Sequence, residues 1–415
     1  MGNSLKRGIL RYSLRVSKGF TKPTRKFIAD MVFGIAASRS CKLTDISRAL
    51  QEEISLKKVV DRLGRNLAGF SGSEALRDNY FQAIRPSVAK DTLLLIDPSD
   101  VTKPHSPTME AIGSVYDASA KKFGAGYWTL GVVALTRNNK QPIPVYEKLY
   151  PCKKQGGNGL AAETKAALQY LRDHFDKIIP RVFDRGFDSG NTMRELVGHG
   201  EKFIIRQNQN RVAVHNGKRT YLEEIVKSVD CRHTLRYQSR TGDELTCKIG
   251  MTTVVLPNLG HMKLNLVVCR QAGEKPLVLY TNLNEAAGYI AVRVVKAYLM
   301  RWRIDEMYGF KKQSFDFEDF RVRSLRAIQT LDLLLTVAIG YLGVLCDKAE
   351  EEPYVLEVIS ASKRVKKVIP FLKDTKFLYY SILDGIISIL GHLRCGIAHY
   401  FSPPPHSMQL CFPGF

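Results

Sequence analysis

Between residues 92 and 206, short apolar runs alternate with helical stretches in an order that few folds can satisfy. Residues 92–96, 127–135 and 143–150 read as strands, the last two joined by the polar turn Arg137-Asn138-Asn139-Lys140. Residues 161–175 then read as a helix, 179–183 as a strand, 188–197 as a helix and 202–206 as a strand. A meander with a short turn requires antiparallel pairing, whereas a strand–helix–strand crossover requires parallel pairing. The β-β-β-α-β-α-β run therefore predicts one mixed sheet.

The texture changes on both sides of this run. Residues 207–285 carry short strands (212–214, 234–237, 245–251, 263–269 and 277–280) between turns, which predicts an inserted β-subdomain. Residues 286–312, 324–347, 354–373 and 377–393 read as helices, and the last ten residues, from His406, as a tail. The expected organisation is a helical region at 1–90, the first part of an α/β core at 91–206, and a β-rich insertion at 207–285. The last part of the core follows at 286–350, then a C-terminal helical region and tail at 351–415.

One stretch of the later helix carries unusual charge. No proline interrupts residues 286–312, and Tyr298, Arg301, Asp305 and Lys312 fall within about 60° of one another at 100° per residue. A carboxylate flanked by two cations and a phenol suits a site that holds a metal and grips phosphate. The bland alternative is a solvated face with an Arg301–Asp305 pair. Glu306 lies about 100° away, on the neighbouring face.

Net charge bears on the partner. The chain has 62 Lys+Arg against 40 Asp+Glu, a formal charge of +22. Such a surplus favours a polyanion, nucleic acid first and an anionic membrane second. Residues 1–90 hold 18 basic against 7 acidic residues, and up to Lys26 there are eight basic residues and no acid. Residues 4–22 predict a helix with Arg7, Arg11, Arg15, Lys18 and Lys22 along one side, read as a phosphate-tracking arm rather than a membrane-surface helix. Residues 25–37 predict a second helix. Residues 42–67 predict two short helices in helix-turn-helix spacing, with Ser55 as N-cap and Lys57, Lys58, Arg62 and Arg65 pointing outward to DNA. An ordinary helical hairpin gives the same pattern.

The eight cysteines are scattered without a C-x2-C pair, which argues against a zinc knuckle and a disulfide framework. The basic N-terminus lacks the apolar core of a secretory signal. The apolar run 333–346 is too short to span a bilayer and reads as a buried helix. The expected location is the cytoplasm, at the nucleoid.

Three aspartates stand out against this background. Asp97 ends the first strand, Asp184 ends the fourth, and Asp305 sits on the charged helix. Carboxylates at strand carboxyl ends lie where α/β sheets build their sites. Three of them with no His or Cys nearby suit Mg²⁺, with Mn²⁺ able to replace it. Such ions support in-line displacement at phosphorus. A lone Asp after a strand is more commonly a turn residue, and Asp100 and Asp188 compete for the role.

These residues carry a resemblance. Asp97-Pro98-Ser99-Asp100-Val101-Thr102-Lys103-Pro104, Gly126-Tyr127-Trp128, Val182-Phe183-Asp184-Arg185-Gly186-Phe187-Asp188 with Phe203 to Arg206 behind it, and Tyr298-x2-Arg301-Trp302 with Lys312 together resemble the DDE transposases of bacterial insertion sequences. The sub-group is the one with a Y-x2-R-x3-E-x6-K signature, and the resemblance spans roughly residues 25–350. It implies a ribonuclease-H-like core with a β insertion before the last catalytic helix. It also implies Mg²⁺-dependent cleavage and strand transfer at inverted-repeat ends, by a homodimer bound to element ends and target DNA. Asp97 and Asp184 match the first two acids; Tyr298, Arg301 and Lys312 match the phosphate-contacting signature residues. The third acid departs from the signature: Asp305 stands where Glu is usual, with Glu306 next. Helix phase favours Asp305, side-chain length favours Glu306, and both stand as catalytic candidates. The departure also keeps open a catalytically inactive, DNA-binding derivative.

Overall fold

The computed structural model describes residues 2–401 apart from 107, 118–119, 153–154, 209, 239–241, 285–286, 392–395 and 398–399. The expected tail therefore lies outside the described residues. Helices α1 (Gly2–Val16), α2 (Lys22–Ser38), α3 (Leu43–Leu50), α4 (Leu56–Gly69) and α5 (Ser73–Ile84) come first. The core then runs β1 (Leu94–Thr102), β2 (Gly113–Asp117), β3 (Lys122–Leu135), β4 (Pro142–Tyr150), α6 (Leu160–His174), β5 (Arg181–Phe183), α7 (Gly190–Gly198) and β6 (Phe203–Arg206). β1 pairs antiparallel with β3 and parallel with β5; β3 pairs antiparallel with β4, and β5 parallel with β6. The order β4-β3-β1-β5-β6 is a mixed sheet, as the strand and helix order predicts, in the ribonuclease-H-like arrangement that the resemblance implies. The short strand β2, which pairs with β3, was not anticipated.

The expected β-rich insertion follows β6. It comprises β7 (Val212–His215), β8 (Lys218–Tyr221), α8 (Leu222–Ser228), β9 (His233–Gln238), β10 (Glu244–Leu256), β11 (Met262–Gln271) and β12 (Leu277–Thr281). β12 pairs with β6 on one side and β11 on the other, so these strands extend the core sheet into a single 12-stranded sheet. The polar edge residues hid β8 and α8 from the hydrophobic pattern.

After the sheet come α9 (Ala287–Leu299), α10 (Trp302–Phe315), α11 (Leu325–Asp347), α12 (Pro353–Ser360), α13 (Val368–Asp374) and α14 (Tyr379–Gly391). The expected continuous helix over 286–312 is interrupted at Met300 and Arg301, where the Arg301 N–H donates to Tyr298 O at 2.9 Å. The expected helix over 354–373 is also two. Pro370 lacks an N–H and would clash with the preceding turn inside one long helix, whereas near the start of α13 it is tolerated.

α11 is the centre of the helical half. By length and composition it could cross a membrane, but 89% of its apolar window is buried in the protein. It packs against β4, α2, α4, α5 and α14. α1 is not the free arm expected: Leu5, Ile9, Leu10, Tyr12 and Val16 are buried, and Tyr12 Oη donates to Val337 O at 2.9 Å. Its apolar side, thin in the sequence, is completed by Lys6 and Ser13, which are also buried. Arg7, Arg11 and Arg15 remain exposed on the opposite side.

Candidate active site

The sheet register places the first two acids side by side. The last β1–β5 pair is Ile96↔Phe183, and Asp97 and Asp184 each follow by one residue. Asp97 does not end its strand. β1 continues to Thr102 against β3 alone, an edge position where Pro98 is tolerated. Asp184 leaves β5 and opens a short 3-10 turn at Arg185–Phe187.

α10 brings the third acid across these strand ends. Its approach depends on Gly131, the β3 residue opposite Asp97. A Cβ there would stand 2.5 Å from Tyr308 Oη, and that hydroxyl donates to Asp97 O at 2.5 Å. Asp305 lies in the first turn of α10, where a carboxylate meets the positive end of the helix dipole.

Arg301 stands at the centre. It donates from Nη1 to Asp97 Oδ2 at 3.0 Å and from Nη2 to Asp305 Oδ2 at 3.3 Å. Tyr298 Oη donates to Asp184 Oδ1 at 2.9 Å, and Arg206 Nη1 is 3.9 Å from the same oxygen. The structure thus brings Asp97, Asp184, Asp305, Tyr298 and Arg301 together. Glu306 faces elsewhere: Arg303 Nη1 donates to its Oε2 at 3.0 Å and to Lys376 O at 2.6 Å. Helix phase, not side-chain length, decides which acid faces the aspartates.

Lys312 reaches the rim of the same cleft. Its Nζ donates to Asp100 Oδ2 at 3.0 Å and lies 3.3 Å from Glu318 Oε1. Glu318 also accepts from the Thr102 N–H at 2.8 Å, tying the end of β1 to the segment after α10. Asp100 therefore holds a cation at the rim, and Asp188 is committed to Arg211 at 2.6 Å. The contacts of Tyr308 and Glu318 had no sequence signal, because they depend on where α10 lands on the sheet. Arg206 was visible as the polar end of an apolar strand.

Electrostatics set the acids apart. Burial pushes the Asp97 carboxyl up to about 7, Arg301 opposes this, and Asp305 and Asp184 reinforce it. Burial also works against ionisation of Asp184. The Arg185 backbone N–H, Arg301, Tyr298 and Arg206 outweigh it and hold its pKa below the ordinary carboxylate value. Burial, then the Asp184 charge, pushes Tyr298 up to about 12, so its hydroxyl stays protonated and donates.

Among the described residues, no three His, Cys, Asp or Glu side chains are gathered at metal-binding spacing. Arg301 holds the place between Asp97 and Asp305. The donor chemistry nevertheless fits a hard divalent ion: three carboxylates, oxygen only, against one guanidinium in direct contact and a second at 3.9 Å.

The DNA-binding candidates in the N-terminal region divide. α3 and α4 form the expected helix pair, and Lys57, Lys58 and Arg65 are exposed. Arg62, expected to point outward, turns inward instead. It reaches Glu52 at 2.7 and 2.8 Å and Asp30 at 3.1 Å, and Lys26 joins the same two acids. Buried Asp30 requires those cations, which the helical wheel of α4 alone could not show.

Among solved structures, the chain is similar to the piggyBac transposase in a cryo-EM synaptic complex with hairpin DNA. The two are 13% identical over 96% of this chain and 81% of that one, with a TM-score of 0.43. The family model of the transposase DDE domain matches residues 89–340, from β1 into α11, and includes Asp97, Asp184, Asp305 and Glu306. The chain belongs to the DDE transposase family.

Proposed function

We propose that this chain is the transposase of a bacterial insertion sequence, of the sub-group with the Y-x2-R-x3-E-x6-K signature, and that it cleaves and joins DNA at the element's inverted-repeat ends. The convergence of Asp97, Asp184 and Asp305 from three separate elements onto Arg301 carries this reading. Asp97, Asp184 and Asp305 would hold Mg²⁺ or Mn²⁺. When bound, such an ion supplies Lewis-acid activation of a phosphate oxygen and of a nucleophilic water or 3′-hydroxyl.

The chain's own groups bind and orient. The Arg301 guanidinium presents a planar fork suited to phosphate, and the protonated Tyr298 hydroxyl adds a neutral donor beside Asp184. Lys312 adds a point charge at the rim. Lys57, Lys58 and Arg65 on α4 contact the terminal repeat, whereas Arg62 holds the helices together. The partners on this reading are double-stranded DNA, as element ends and target, and a second copy of the chain in a synaptic complex at the nucleoid.

The test is nicking of a duplex carrying the element's own end, with Mg²⁺ or Mn²⁺. Loss of a carboxylate from such a site removes several kcal/mol of transition-state stabilisation. Asp97→Asn, Asp184→Asn and Asp305→Asn should therefore each slow nicking at least about 100-fold. Glu306→Gln should nick nearly as wild type does. Unchanged nicking in Asp97→Asn and Asp184→Asn would sink the enzyme reading. A second reading, an inactive DNA-binding derivative, is favoured by Asp305 standing where the signature has the longer Glu. Sequence-specific binding by wild type without any metal-dependent nicking would establish it.

A further inference from the structure

The loop between α12 and α13 lies beyond the matched transposase domain, which ends at residue 340. It reads Ser362-Lys363-Arg364-Val365-Lys366-Lys367, four cations in five residues without an acid. All four cationic side chains are exposed. Runs of this kind are commonly solvated faces. Three observations set this one apart.

First, its backbone is pinned. Ser362 Oγ donates to Asp384 Oδ2 at 3.0 Å, the Lys363 N–H donates to the same oxygen at 3.1 Å, and the Arg364 N–H donates to Ser362 Oγ at 3.2 Å. Val365 packs against the core between the outward cations. Second, the charges are not offset: among the described residues, none of the four side chains makes an ion pair, and the Asp384 oxygen faces a hydroxyl and a backbone N–H. Like charges on a fixed loop repel one another, which an anionic partner relieves. Third, the loop adjoins the catalytic helix. The Arg364 guanidinium lies 5.5 Å over the Tyr380 ring, and Tyr380 Oη donates at 3.3 Å to Gln313 Oε1, next to Lys312 on α10. Gln313 is eight residues along α10 from Asp305, a rise of about 12 Å, and seven from Glu306, so it lies on the Glu306 face, about 80° round the helix from Asp305.

We propose that Lys363, Arg364, Lys366 and Lys367 form a cationic ledge that grips the phosphate backbone of DNA flanking the cleft, where it passes the Glu306 face of α10. This inference rests on the DNA-cleaving reading above and adds a contact surface to it. The ledge presents point charges and one stacked guanidinium without groups poised to read base edges, so it contributes affinity and register rather than sequence choice.

The test is equilibrium binding to a random-sequence duplex of about 40 base pairs across a salt series. Each phosphate neutralised contributes about 0.9 to the slope of log K against log salt. Joint substitution Lys363→Gln, Arg364→Gln, Lys366→Gln and Lys367→Gln should reduce that slope by about 2 to 4 with an unchanged melting temperature. The matching Lys→Arg set should keep the wild-type slope. An unchanged slope in the Gln variant, with wild type binding DNA, overturns the ledge and leaves the transposase reading intact. A wild-type chain that binds no duplex at all removes the transposase reading itself. Loss of binding to phosphatidylserine vesicles, with duplex binding untouched, would assign the ledge to membranes and overturn the proposal.

Discussion

Adjacent lysines on α10 serve two unlike clusters. Lys311 faces inward, 2.7 Å from Glu147 Oε1 and paired also with Asp332, while Thr336 Oγ1 donates to the other Glu147 oxygen at 3.2 Å. The Lys311, Glu147 and Asp332 side chains are 3%, 7% and 1% exposed. Lys312 points to the cleft, where Arg301, Asp97 and Asp305 are 14%, 16% and 39% exposed. Both clusters mix cations with carboxylates, and burial pushes the carboxyls of both Glu147 and Asp97 well up. A raised carboxyl therefore does not mark the site by itself. The inner cluster is closed and satisfied by its own partners. The outer one is open and carries three carboxylates around one guanidinium, so it has both access and unmet charge.

The largest effect should come from the inner lysine. Lys311→Met leaves Glu147 and Asp332 buried without their cation, and breaking a buried pair in this way costs about 3–5 kcal/mol. Lys312→Met removes a partly exposed contact and should cost about 1 kcal/mol or less, while weakening DNA binding. Urea denaturation of both variants measures the difference. If the two are equally stable, the division between scaffold and site fails.

That division was only half legible in the sequence. The order of strands and helices was enough to predict the mixed sheet, because pairing direction follows from connection length. Helix phase was enough to turn Asp305 rather than Glu306 toward the aspartates, even though the helix breaks at Met300. Burial of Lys311 was hidden, because two consecutive lysines look alike until the sheet covers one of them. The same holds for α1, whose exposed arginines masked a packed underside. The insertion was legible as a run of short strands, but its β6–β12 pairing with the core was not, because strand patterning is local and that pairing is not.

A pH series sharpens the contrast from the other side. In metal-free buffer, folded Asp97 titrates near 7, well above the ordinary carboxylate value near 3.8. Between those values the folded state binds more protons than the unfolded state, so stability falls as pH rises and the full penalty is present above about pH 7. Asp97→Asn removes the penalty but also a partner of Arg301. The net expectation is a gain on the order of 2 kcal/mol near pH 8 that shrinks toward pH 4. Thermal melts with EDTA at several pH values test it. A gain that does not grow with pH would mean Asp97 stays ionised throughout, and the site would then resemble an ordinary surface ion pair.

The smallest effect carries the same criterion to α4. Arg62 is closed by Glu52 and Asp30, as Lys311 is by its acids, whereas Lys57, Lys58 and Arg65 are open. Burial pushes Asp30 up to about 6, opposed by Lys26 and Arg62, so removing one cation still leaves Lys26. Arg62→Gln should therefore cost only about 1 kcal/mol of stability, through lost charge-assisted hydrogen bonds. Joint Lys57→Gln, Lys58→Gln and Arg65→Gln substitution should leave the melting temperature within about 1 °C, since surface charges of this kind contribute little to stability, and should reduce the salt slope of DNA binding by about 2 to 3. Each variant thus has one readout that moves and one that does not. If Arg62→Gln instead loses DNA affinity at unchanged stability, its ion pairs are a resting position that DNA displaces, and saturation by acids would no longer separate scaffold from site.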